Sequence, residues 1–338
     1  MTLVERLVRC PSPSGQEGEL AHLLIAEMEA RGLRARSDDV GNAIGVIGSG
    51  PIQVYLVGHM DTVPGDLPVR VEEGKLYGRG SVDAKGSLAV FVEAAAAFKG
   101  SSILTLTVIG CVEEEASSRG ARHVMEAYPA PDFVVIGEPS GWNAITRGYK
   151  GSGSLCYVLR KPRTHRGAPT TTAAEDAVAF YHALCEAYPE RGAGFTEVSI
   201  NLVSFNTYQD GIHERAELSL DVRTPPLFDL GVFRQVVAGV SGQADVEVTQ
   251  YTPPVLVGKR NALVRAMLGG IRAQGGMPRF KCKTGTSDMN LMQAWACPII
   301  AYGPGDSSLD HTPDEYIDIH EFRKAIAVLT RALATLGG

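Results

Sequence analysis

The sequence has no long hydrophobic run, no run of lysines and arginines and no closely spaced pair of cysteines. No apolar stretch reaches the roughly 18 residues of a membrane span, so we expect no membrane association. A net charge of −6 without a basic run argues against a nucleic-acid partner. None of the six cysteines lies in a Cys-x-x-Cys pair, which is typical of a reduced protein with buried thiols. Because no apolar core follows residues 1–9, we expect no signal peptide and a cytoplasmic location.

Two well-known catalytic or cofactor motifs are also missing from the chain. Gly45, Gly48 and Gly50 do not have the G-x-G-x-x-G spacing, and no suitable helix follows them, which argues against a dinucleotide site. No G-x-S-x-G segment is present, so a serine hydrolase with a nucleophile elbow is excluded.

The length of 338 residues favours two domains, and the order of predicted elements shows where they divide. Strands and helices alternate over residues 1–150, which is typical of an α/β domain with a mostly parallel sheet. The predicted strands lie at 43–47, 52–57, 103–109 and 132–136, and the predicted helices at 15–32, 86–99 and 118–127.

A different pattern begins after residue 150. Residues 154–251 are predicted to run strand, helix, strand, strand, helix, strand, which is the order of a ferredoxin-like α+β sandwich. In the strand 215–222, Ala216, Leu218, Leu220 and Val222 should share the buried face. The remaining predicted elements are helices at 261–275, 288–296 and 320–336 and a strand at 298–302. We therefore expect one α/β domain made from 1–150 and 252–338, with a small α+β domain inserted at 151–251.

Polar side chains follow three of the predicted strands of the first domain. His59 and Asp61 follow one strand, Glu113, Glu114 and Glu115 the next, and Glu138 the third. In open α/β sheets, ligands bind at the carboxyl ends of the strands, so these side chains are candidates for one crevice. Taken singly, the His-x-Asp can be a solvated turn and the glutamates a charged surface loop. Three adjacent carboxylates repel one another unless a cation is near.

Two further candidates lie in loops. Asp83 precedes a predicted helix within a glycine-rich segment and can instead cap that helix. His311 lies in the segment DHTPDE and can be an ordinary loop histidine. Together the candidates supply two histidines, three carboxylates and one additional glutamate. Zinc accepts imidazole and carboxylate ligands, and two zinc ions would need one bridging carboxylate and a general base.

The motifs that contain these residues resemble the co-catalytic zinc aminoacylase/carboxypeptidase superfamily, which includes acetylornithine deacetylases and succinyl-diaminopimelate desuccinylases. The resemblance spans nearly the whole chain. It implies that 1–150 and 252–338 form a zinc-peptidase catalytic domain and that 151–251 is an inserted lid or dimerisation domain. The matching segments are 12–17 (SPSGQE), 39–42 (DVGN), 58–64 (GHMDTVP), 78–80 (GRG), 83–86 (DAKG), 113–115 (EEE) with 120–121 (GA), 137–139 (GEP) and 311–313 (HTP).

The resemblance implies a role for each of these side chains. His59 and Glu138 would bind one Zn²⁺, Glu115 and His311 the other, and Asp83 would bridge the two. Co²⁺ could substitute for Zn²⁺ with the same ligands.

Three catalytic roles also follow from the resemblance. Glu114 would act as the proton-shuttling base, and Asp61 would hold the tautomer of His59. His165 matches a histidine of the inserted domain that reaches the active site of the partner subunit in a homodimer.

The residues that would contact substrate are inferred in the same way. Arg223 matches an arginine that grips the substrate carboxylate in relatives, although it can also serve a structural salt bridge. Thr286 and Ser287 lie in a segment that resembles the loop lining the leaving-group pocket. The sequence departs from the family at His213, where relatives have an asparagine.

Among the superfamily, the short chain and the segments 147–151 (RGYKG) and 283–290 (KTGTSDMN) are most similar to hydrolases of the carrier-protein lysine pathway. Those enzymes release lysine, and sometimes ornithine, from the C-terminal glutamate side chain of a small acidic amino-group carrier protein. The alternatives are a deacylase of N-acetyl-lysine, N-acetylornithine or N-succinyl-diaminopimelate, and a non-catalytic binding protein. The candidate docking residues for the carrier are Arg147, Lys150, Arg160, Lys161, Arg163 and Arg166.

Overall fold

The secondary structure is defined by a computed structural model that describes residues 1–337. The α-helices, numbered in chain order, are α1 (Leu3–Val8), α2 (Gly18–Ala30), α3 (Lys85–Ala96), α4 (Arg119–Ala127), α5 (Ala173–Glu186), α6 (Leu230–Val240), α7 (Ala262–Ala273), α8 (Asp288–Met292) and α9 (Ile319–Leu336). Short 3₁₀ helices lie at Gln293–Trp295 and Ser307–Leu309. Over the residues described, no helix has both the length and the apolar character needed to cross a membrane.

The strands are also numbered in chain order. They are β1 (Arg34–Ser37), β2 (Ala43–Gly48), β3 (Ile52–His59), β4 (Arg70–Glu72), β5 (Lys75–Tyr77), β6 (Leu104–Cys111), β7 (Phe133–Ile136), β8 (Ala144–Tyr149), β9 (Gly151–Pro162), β10 (Ser199–Gln209), β11 (His213–Thr224), β12 (Asp245–Thr252), β13 (Val255–Leu256), β14 (Arg279–Lys283), β15 (Ile299–Ala301) and β16 (Tyr316–Asp318).

The chain forms two compact units. The first contains Met1–Gly148, Val257–Cys282 and the residues from Ser287 onward, and the second contains Tyr149–Leu256 and Lys283–Thr286. The sequence pattern did not indicate that the short segment Lys283–Thr286 belongs with the second unit. The functional division of the chain at 150/151 and 251/252 stays a prediction.

The first unit is built on a sheet with the strand order β1-β2-β6-β3-β7-β15-β8. The central strands β6, β3, β7 and β15 are parallel, whereas β2 and β8 pair antiparallel to their neighbours. This arrangement confirms the predicted α/β class with a largely parallel sheet. Helix α3 lies in the core because its consecutive residues 88–92 (LAVFV) are all apolar and buried.

The start of α3 excludes one of the two alternatives considered for Asp83, that of a helix cap. The N-cap residue of α3 is Ala84, and no side chain caps the helix. Asp83 therefore precedes the cap position and does not cap the helix. Strand β5, which leads into this glycine-rich loop, pairs with β4 and β16 in a small separate sheet.

The second unit has a four-stranded antiparallel sheet with the order β10-β11-β9-β12, against which α5 and α6 pack. Its chain order confirms the predicted ferredoxin-like arrangement. Ala216, Leu218, Leu220 and Val222 are all buried, as their alternation predicted. Helix α5 begins where expected because Thr172 and Glu175 form a capping box.

The differences from the predicted elements are mostly short segments. Helix α1 and the strands β1, β4, β5, β8, β13, β14 and β16 were not predicted. The helix predicted at 288–296 was too long, since α8 ends at Met292 and a 3₁₀ turn follows. Strands of two to six residues give too few alternating positions for a sequence pattern, and their pairing partners decide whether they form.

Candidate metal centre

The register of the parallel strands places the candidate residues at one edge of the first unit's sheet. His59, the last residue of β3, is paired with Cys111, the last residue of β6. On the other side of β3, Val57 is paired with Ile136, the last residue of β7. Glu138 therefore leaves β7 beside the end of β3, and the loop that begins after Cys111 leaves on the opposite side.

Glycines allow these strand ends to lie close together. A Cβ atom at Gly137 would lie 3.2 Å from the Cα of Gly58 and 2.9 Å from the ring of Phe91. A Cβ atom at Gly120 would lie 2.4 Å from the side chain of Asn42 and 2.5 Å from the backbone nitrogen of Val112. A larger residue at Gly137 would displace the segment that carries Glu138. A larger residue at Gly120 would displace the segment that carries the three adjacent glutamates.

Four of the predicted metal ligands converge at this edge. Oδ1 of Asp83 lies 3.3 Å from Nε2 of His59, and Oδ2 of Asp83 lies 3.1 Å from Nε2 of His311. Nε2 of His311 also lies 2.7 Å from Oε1 of Glu115. Ligand atoms of His59, Asp83 and Glu115 all lie within 4.8 Å of one another. Asp83 thus presents one carboxylate oxygen to each histidine.

Asp61 organises the backbone around this cluster. Its carboxylate is buried and accepts hydrogen bonds from the backbone N–H groups of Glu114 and Glu115, both at 3.0 Å. Nδ1 of His59 lies 2.9 Å from the backbone carbonyl of Asp61 and 3.4 Å from its Oδ1. Because Nδ1 faces these acceptors, it carries the proton in the neutral ring, and Nε2 is left to bind a cation.

The three glutamates have different surroundings. Glu113 turns away from the cluster, since its carboxylate accepts from Ser117 at 2.5 Å and from Arg119 at 2.9 Å. These hydrogen bonds lower the pKa of Glu113. Burial raises the pKa of Glu114 well above its ordinary value, and the nearby carboxylates Asp288, Glu138 and Glu115 raise it further. Glu115 is the glutamate whose carboxylate contacts His311.

The charge balance of the cluster favours a cation. The hydrogen bond that the His311 ring donates to the Asp83 carboxylate, together with the charge of Glu115, raises the pKa of His311 to about 9. Burial raises the pKa of Glu115, and the neighbouring charge of Asp83 raises it further. Crowded carboxylates that raise each other's pKa are stabilised by a positive ion between them. Imidazole nitrogens and carboxylate oxygens in this number suit a divalent metal.

Two buried acidic residues lie near the cluster, and one of them was not predicted. Glu138 is buried, and its negative charge raises the pKa of both Glu114 and Asp288. Asp288, the first residue of α8, is buried with no hydrogen-bond partner for its Oδ1 among the described residues. Burial raises the pKa of Asp288 to about 7. Only its place in the KTGTSDMN segment marked it in the sequence.

Residues of the segments 12–17 and 39–42 form hydrogen bonds with the loops around the cluster, and the sequence did not reveal these contacts. Ser14 donates to Oδ2 of Asp61 at 2.8 Å, and Glu17 accepts from the backbone N–H of Glu113 at 3.1 Å. Asn42 accepts from Val112 at 3.0 Å and donates to the carbonyl of Gly120 at 3.1 Å. The motifs were recognised, but contacts across such sequence distances cannot be read from spacing.

The predicted substrate-binding residues have varied surroundings. In the second unit, Nε of Arg223 pairs with Asp221 at 2.9 Å, and its Nη1 lies 3.4 Å from Oγ1 of Thr286. Arg223 also lines a cavity of about 470 Å³ with Arg191, Ser199, Asn201 and Thr284. In the first unit, Ser287 is buried and its hydroxyl caps α8 by accepting from Met289 at 3.3 Å. The cap gives Ser287 a structural role that the prediction did not include.

His165 and His213 both lie at the surface of the second unit. His165 lies in an exposed turn, where its Nδ1 accepts from the backbone N–H of Gly167 at 3.2 Å. His213 begins β11, with Nδ1 3.1 Å from Arg160 and 3.6 Å from Asp210.

The prediction that Lys150 contacts the carrier protein is wrong. Lys150 is fully buried in the second unit, where its Nζ donates to the carbonyl of Gly194 at 3.0 Å and to Ser199 at 2.8 Å. A buried lysine that holds a loop cannot contact a docking protein. Lys161 is paired with Asp176 at 2.7 Å, whereas Arg163 and Arg166 are exposed.

Comparison with known proteins connects this geometry to a family. The sequence profile described as Peptidase family M20/M25/M40 matches residues 55–335. A LysW-lysine hydrolase of Deinococcus radiodurans is 45% identical over 352 residues, covering 99% of this chain and 96% of the relative. A putative LysW-lysine/LysW-ornithine hydrolase of Pyrococcus furiosus is 38% identical, covering 98% and 96%.

Solved structures share the fold at lower identity. Aminopeptidase PepT of Bacillus cereus has a TM-score of 0.80 with 19% identity, covering 99% of this chain and 97% of that protein. The M20 family metallo-carboxypeptidase Sso-CP2 of Sulfolobus solfataricus has a TM-score of 0.78 with 19% identity, covering 98% and 97%.

Proposed function

Because the chain belongs to peptidase family M20/M25/M40, we propose that it is a metal-dependent amide hydrolase that releases lysine, and also ornithine, from an amino-group carrier protein. The bond cleaved joins the amine to the side chain of the carrier's C-terminal glutamate. The observation that carries the proposal is the convergence of His59, Asp83, Glu115 and His311. The similarity to LysW-lysine hydrolases over the full chain selects the substrate.

We assign two divalent ions to this centre, with zinc as the metal and cobalt as a substitute. His59 and Glu138 would hold one ion, and Glu115 and His311 the other. Asp83 would bridge them, since each of its oxygens faces a different histidine. When bound, such ions polarise the amide carbonyl and make water more acidic.

Glu114 performs the proton transfers in this proposal. It takes a proton from the attacking water and delivers it to the nitrogen of the departing amine. Its part-buried position and raised pKa suit a carboxylate that must both accept and donate a proton. Asp61 acts through other groups, because it fixes the ring of His59 and the backbone of Glu114 and Glu115.

Three residues are the proposed substrate contacts. Arg223 and Thr286 would bind the carboxylate of the departing amino acid, for which a guanidinium is well suited. Ser287 would be a further substrate contact, because it lies in the same segment as Thr286. His165 would donate a hydrogen bond to the developing oxyanion in the partner subunit of a homodimer.

A homodimer formed by the inserted domain accounts for the surface of β10. This 11-residue strand lies at the edge of the second unit's sheet. Its exposed apolar side chains include Leu202, Val203 and Tyr208, which are 45%, 65% and 54% exposed. A long apolar edge strand pairs readily with another strand, so a second copy of the chain is its proposed partner.

The carrier protein would approach along basic residues of the second unit. Arg160, Lys161, Arg163 and Arg166 lie on β9 and the turn that follows it. A small acidic carrier would be attracted to such a surface over a distance of about 10 Å at moderate ionic strength. The cytoplasmic location expected from the cysteine pattern fits a biosynthetic reaction of this kind.

The test is amine release by the zinc-loaded protein from five substrates. These are carrier-lysine, carrier-ornithine, N-acetyl-lysine, N-acetylornithine and N-succinyl-diaminopimelate. We expect kcat/KM for the carrier conjugates to exceed that for the small amides by at least about tenfold, because only the conjugates reach the docking surface. Faster turnover of a small amide would replace the carrier assignment with a deacylase. Absence of all turnover with bound metal would support a binding protein.

A further inference from the structure

An ion pair between part-buried Arg79 and buried Glu315 connects the loops that carry Asp83 and His311. Nη1 of Arg79 lies 2.9 Å from Oε2 of Glu315, and the side chains are only 13% and 1% exposed. The same guanidinium donates to the carbonyl of Thr312 at 3.2 Å and, through Nε, to the carbonyl of Gly65 at 3.0 Å. Arg79 is therefore bonded to the residue that directly follows His311.

The other oxygen of Glu315 acts on the loop of Asp83. Oε1 accepts from the backbone N–H of Val82 at 3.0 Å and from that of Asp83 itself at 3.2 Å. Glu315 thus fixes the peptide from which the Asp83 carboxylate extends. The buried carboxylate of Glu315 satisfies one buried backbone donor, one part-buried backbone donor and a part-buried guanidinium, and such groups are costly to leave unpaired.

A short strand pair brings the two residues together. Tyr77 at the end of β5 is paired with Tyr316 at the start of β16. The register continues one step further, where the N–H of Gly78 donates to the carbonyl of Glu315 at 3.2 Å. Arg79 and Glu315 are therefore the first side chains beyond this pairing, and they face the loops that lead to Asp83 and His311.

We infer that Arg79 and Glu315 are a positioning pair that sets the distance between the Asp83 carboxylate and the His311 ring. The inference rests on the proposed function, because it treats Asp83 and His311 as metal ligands. Neither Arg79 nor Glu315 touches the metal in this account. Their effect is exerted on Asp83 through its backbone N–H and on His311 through the carbonyl of Thr312. Mutation of a residue that hydrogen-bonds to a metal ligand, without touching the metal, commonly weakens metal affinity by about 10–100-fold.

The experiment measures Zn²⁺ dissociation constants by chelator competition for the full-length protein and its variants. Glu315→Gln keeps an oxygen for the two backbone donors but removes the negative charge opposite Arg79. Arg79→Lys keeps the charge but cannot make all three contacts of the guanidinium. We expect each variant to weaken binding of the more loosely held zinc by at least about tenfold. Glu315→Ala should weaken it further.

A matched control separates positioning from general stability. Glu27 is a buried carboxylate of the same unit that pairs with Arg31 at 2.6 Å and with Arg6. It contacts none of the proposed ligands, so Glu27→Gln should lower the melting temperature of the metal-free protein without changing zinc affinity.

Three results would overturn part of this account, and they are distinguishable. Zinc affinities of Glu315→Gln and Arg79→Lys within twofold of wild type would remove the positioning role. An equal loss of affinity in Glu27→Gln would show that the effect is only one of stability. Failure of the wild-type protein to bind zinc would instead overturn the proposed metal centre. If Glu315→Gln does not fold, Arg79→Lys alone decides, because it keeps the buried pair charged.

Discussion

The ring of His311 and the carboxylate of Glu115 face each other at 2.7 Å, although 196 residues separate them in the chain. Glu113, only two residues from Glu115, is directed instead to Ser117 and Arg119. The backbone makes this distinction, since Asp61 binds the N–H groups of Glu114 and Glu115 and Glu113 has a positive φ of 56°. The loop therefore divides its three carboxylates between the cluster and the surface.

The division of the glutamates predicts different metal affinities for two similar variants. Glu115→Gln should weaken zinc binding by at least about tenfold, because it removes a charged oxygen from the cluster. Glu113→Gln should leave zinc affinity unchanged, since its carboxylate belongs to a surface ion pair. Chelator competition measures both. The reverse order of affinities would mean that the ligand assignment is shifted along the triplet.

Glu114→Gln tests the proposed proton transfer. The variant should keep two metal ions per chain, because the amide has nearly the shape of the carboxylate. Its kcat should fall by about 10²–10⁴-fold, since an amide cannot accept the proton of water. Metal content by elemental analysis and single-turnover rates give the two values. Loss of metal from this variant would place Glu114 among the ligands.

His165→Ala is expected to be inactive on its own but to be rescued in mixed dimers. When it is mixed with an inactive Asp83→Asn protein, one site of each heterodimer combines an intact metal centre with an intact His165. Random assortment then restores about one site in four. Activity after subunit exchange measures the rescue. Failure of the mixture to recover activity, with exchange demonstrated by mass, would remove the role in the partner subunit.

Charge reversal of Arg163 and Arg166 tests the docking surface. The double variant to glutamate should raise KM for the carrier conjugate by at least about tenfold while changing KM for N-acetyl-lysine less than twofold. The matched control reverses Arg265 and Arg272, two exposed arginines in the first unit. The effect should also decrease with added salt. Equal effects on both substrates would exclude a docking role.

The buried phenol of Tyr157 should make the free energy of unfolding depend on pH in the alkaline range. Burial in the second unit's core, with a smaller effect of the Asp176 charge, raises its pKa to about 12. The folded state therefore favours the neutral phenol. Its contribution is complete below the unfolded pKa of about 10 and is lost as the pH rises to about 12.

The corresponding variant is Tyr157→Phe. Between pH 8 and pH 11, wild type should lose about 1 kcal/mol more of its unfolding free energy than the variant. Tyr251→Phe, a change at a part-exposed tyrosine of the same unit, provides the control. Urea unfolding at the two pH values measures the difference. Parallel losses in wild type and Tyr157→Phe would contradict the assignment.

Much of the architecture could be predicted from local patterns in the amino-acid sequence. The alternation in 215–222 fixed the buried face of β11, because side chains of a strand alternate in direction wherever the strand lies. The parallel strands, and the polar residues that follow them, could also be predicted from the sequence. The motifs named every residue that the structure brings into the cluster of His59, Asp83, Glu115 and His311, since donor chemistry is a property of the residue type.

The distances within the cluster and the contacts that support it depend on how distant segments pack. Lys150 is chemically suited to a surface, yet packing in the second unit buries it completely. Asp288 and Glu315 carry no local signal that separates them from surface acids. Their surroundings depend on strand pairing and loop packing between segments far apart in the chain. Local patterns specify which groups are available, whereas long-range packing decides which of them meet.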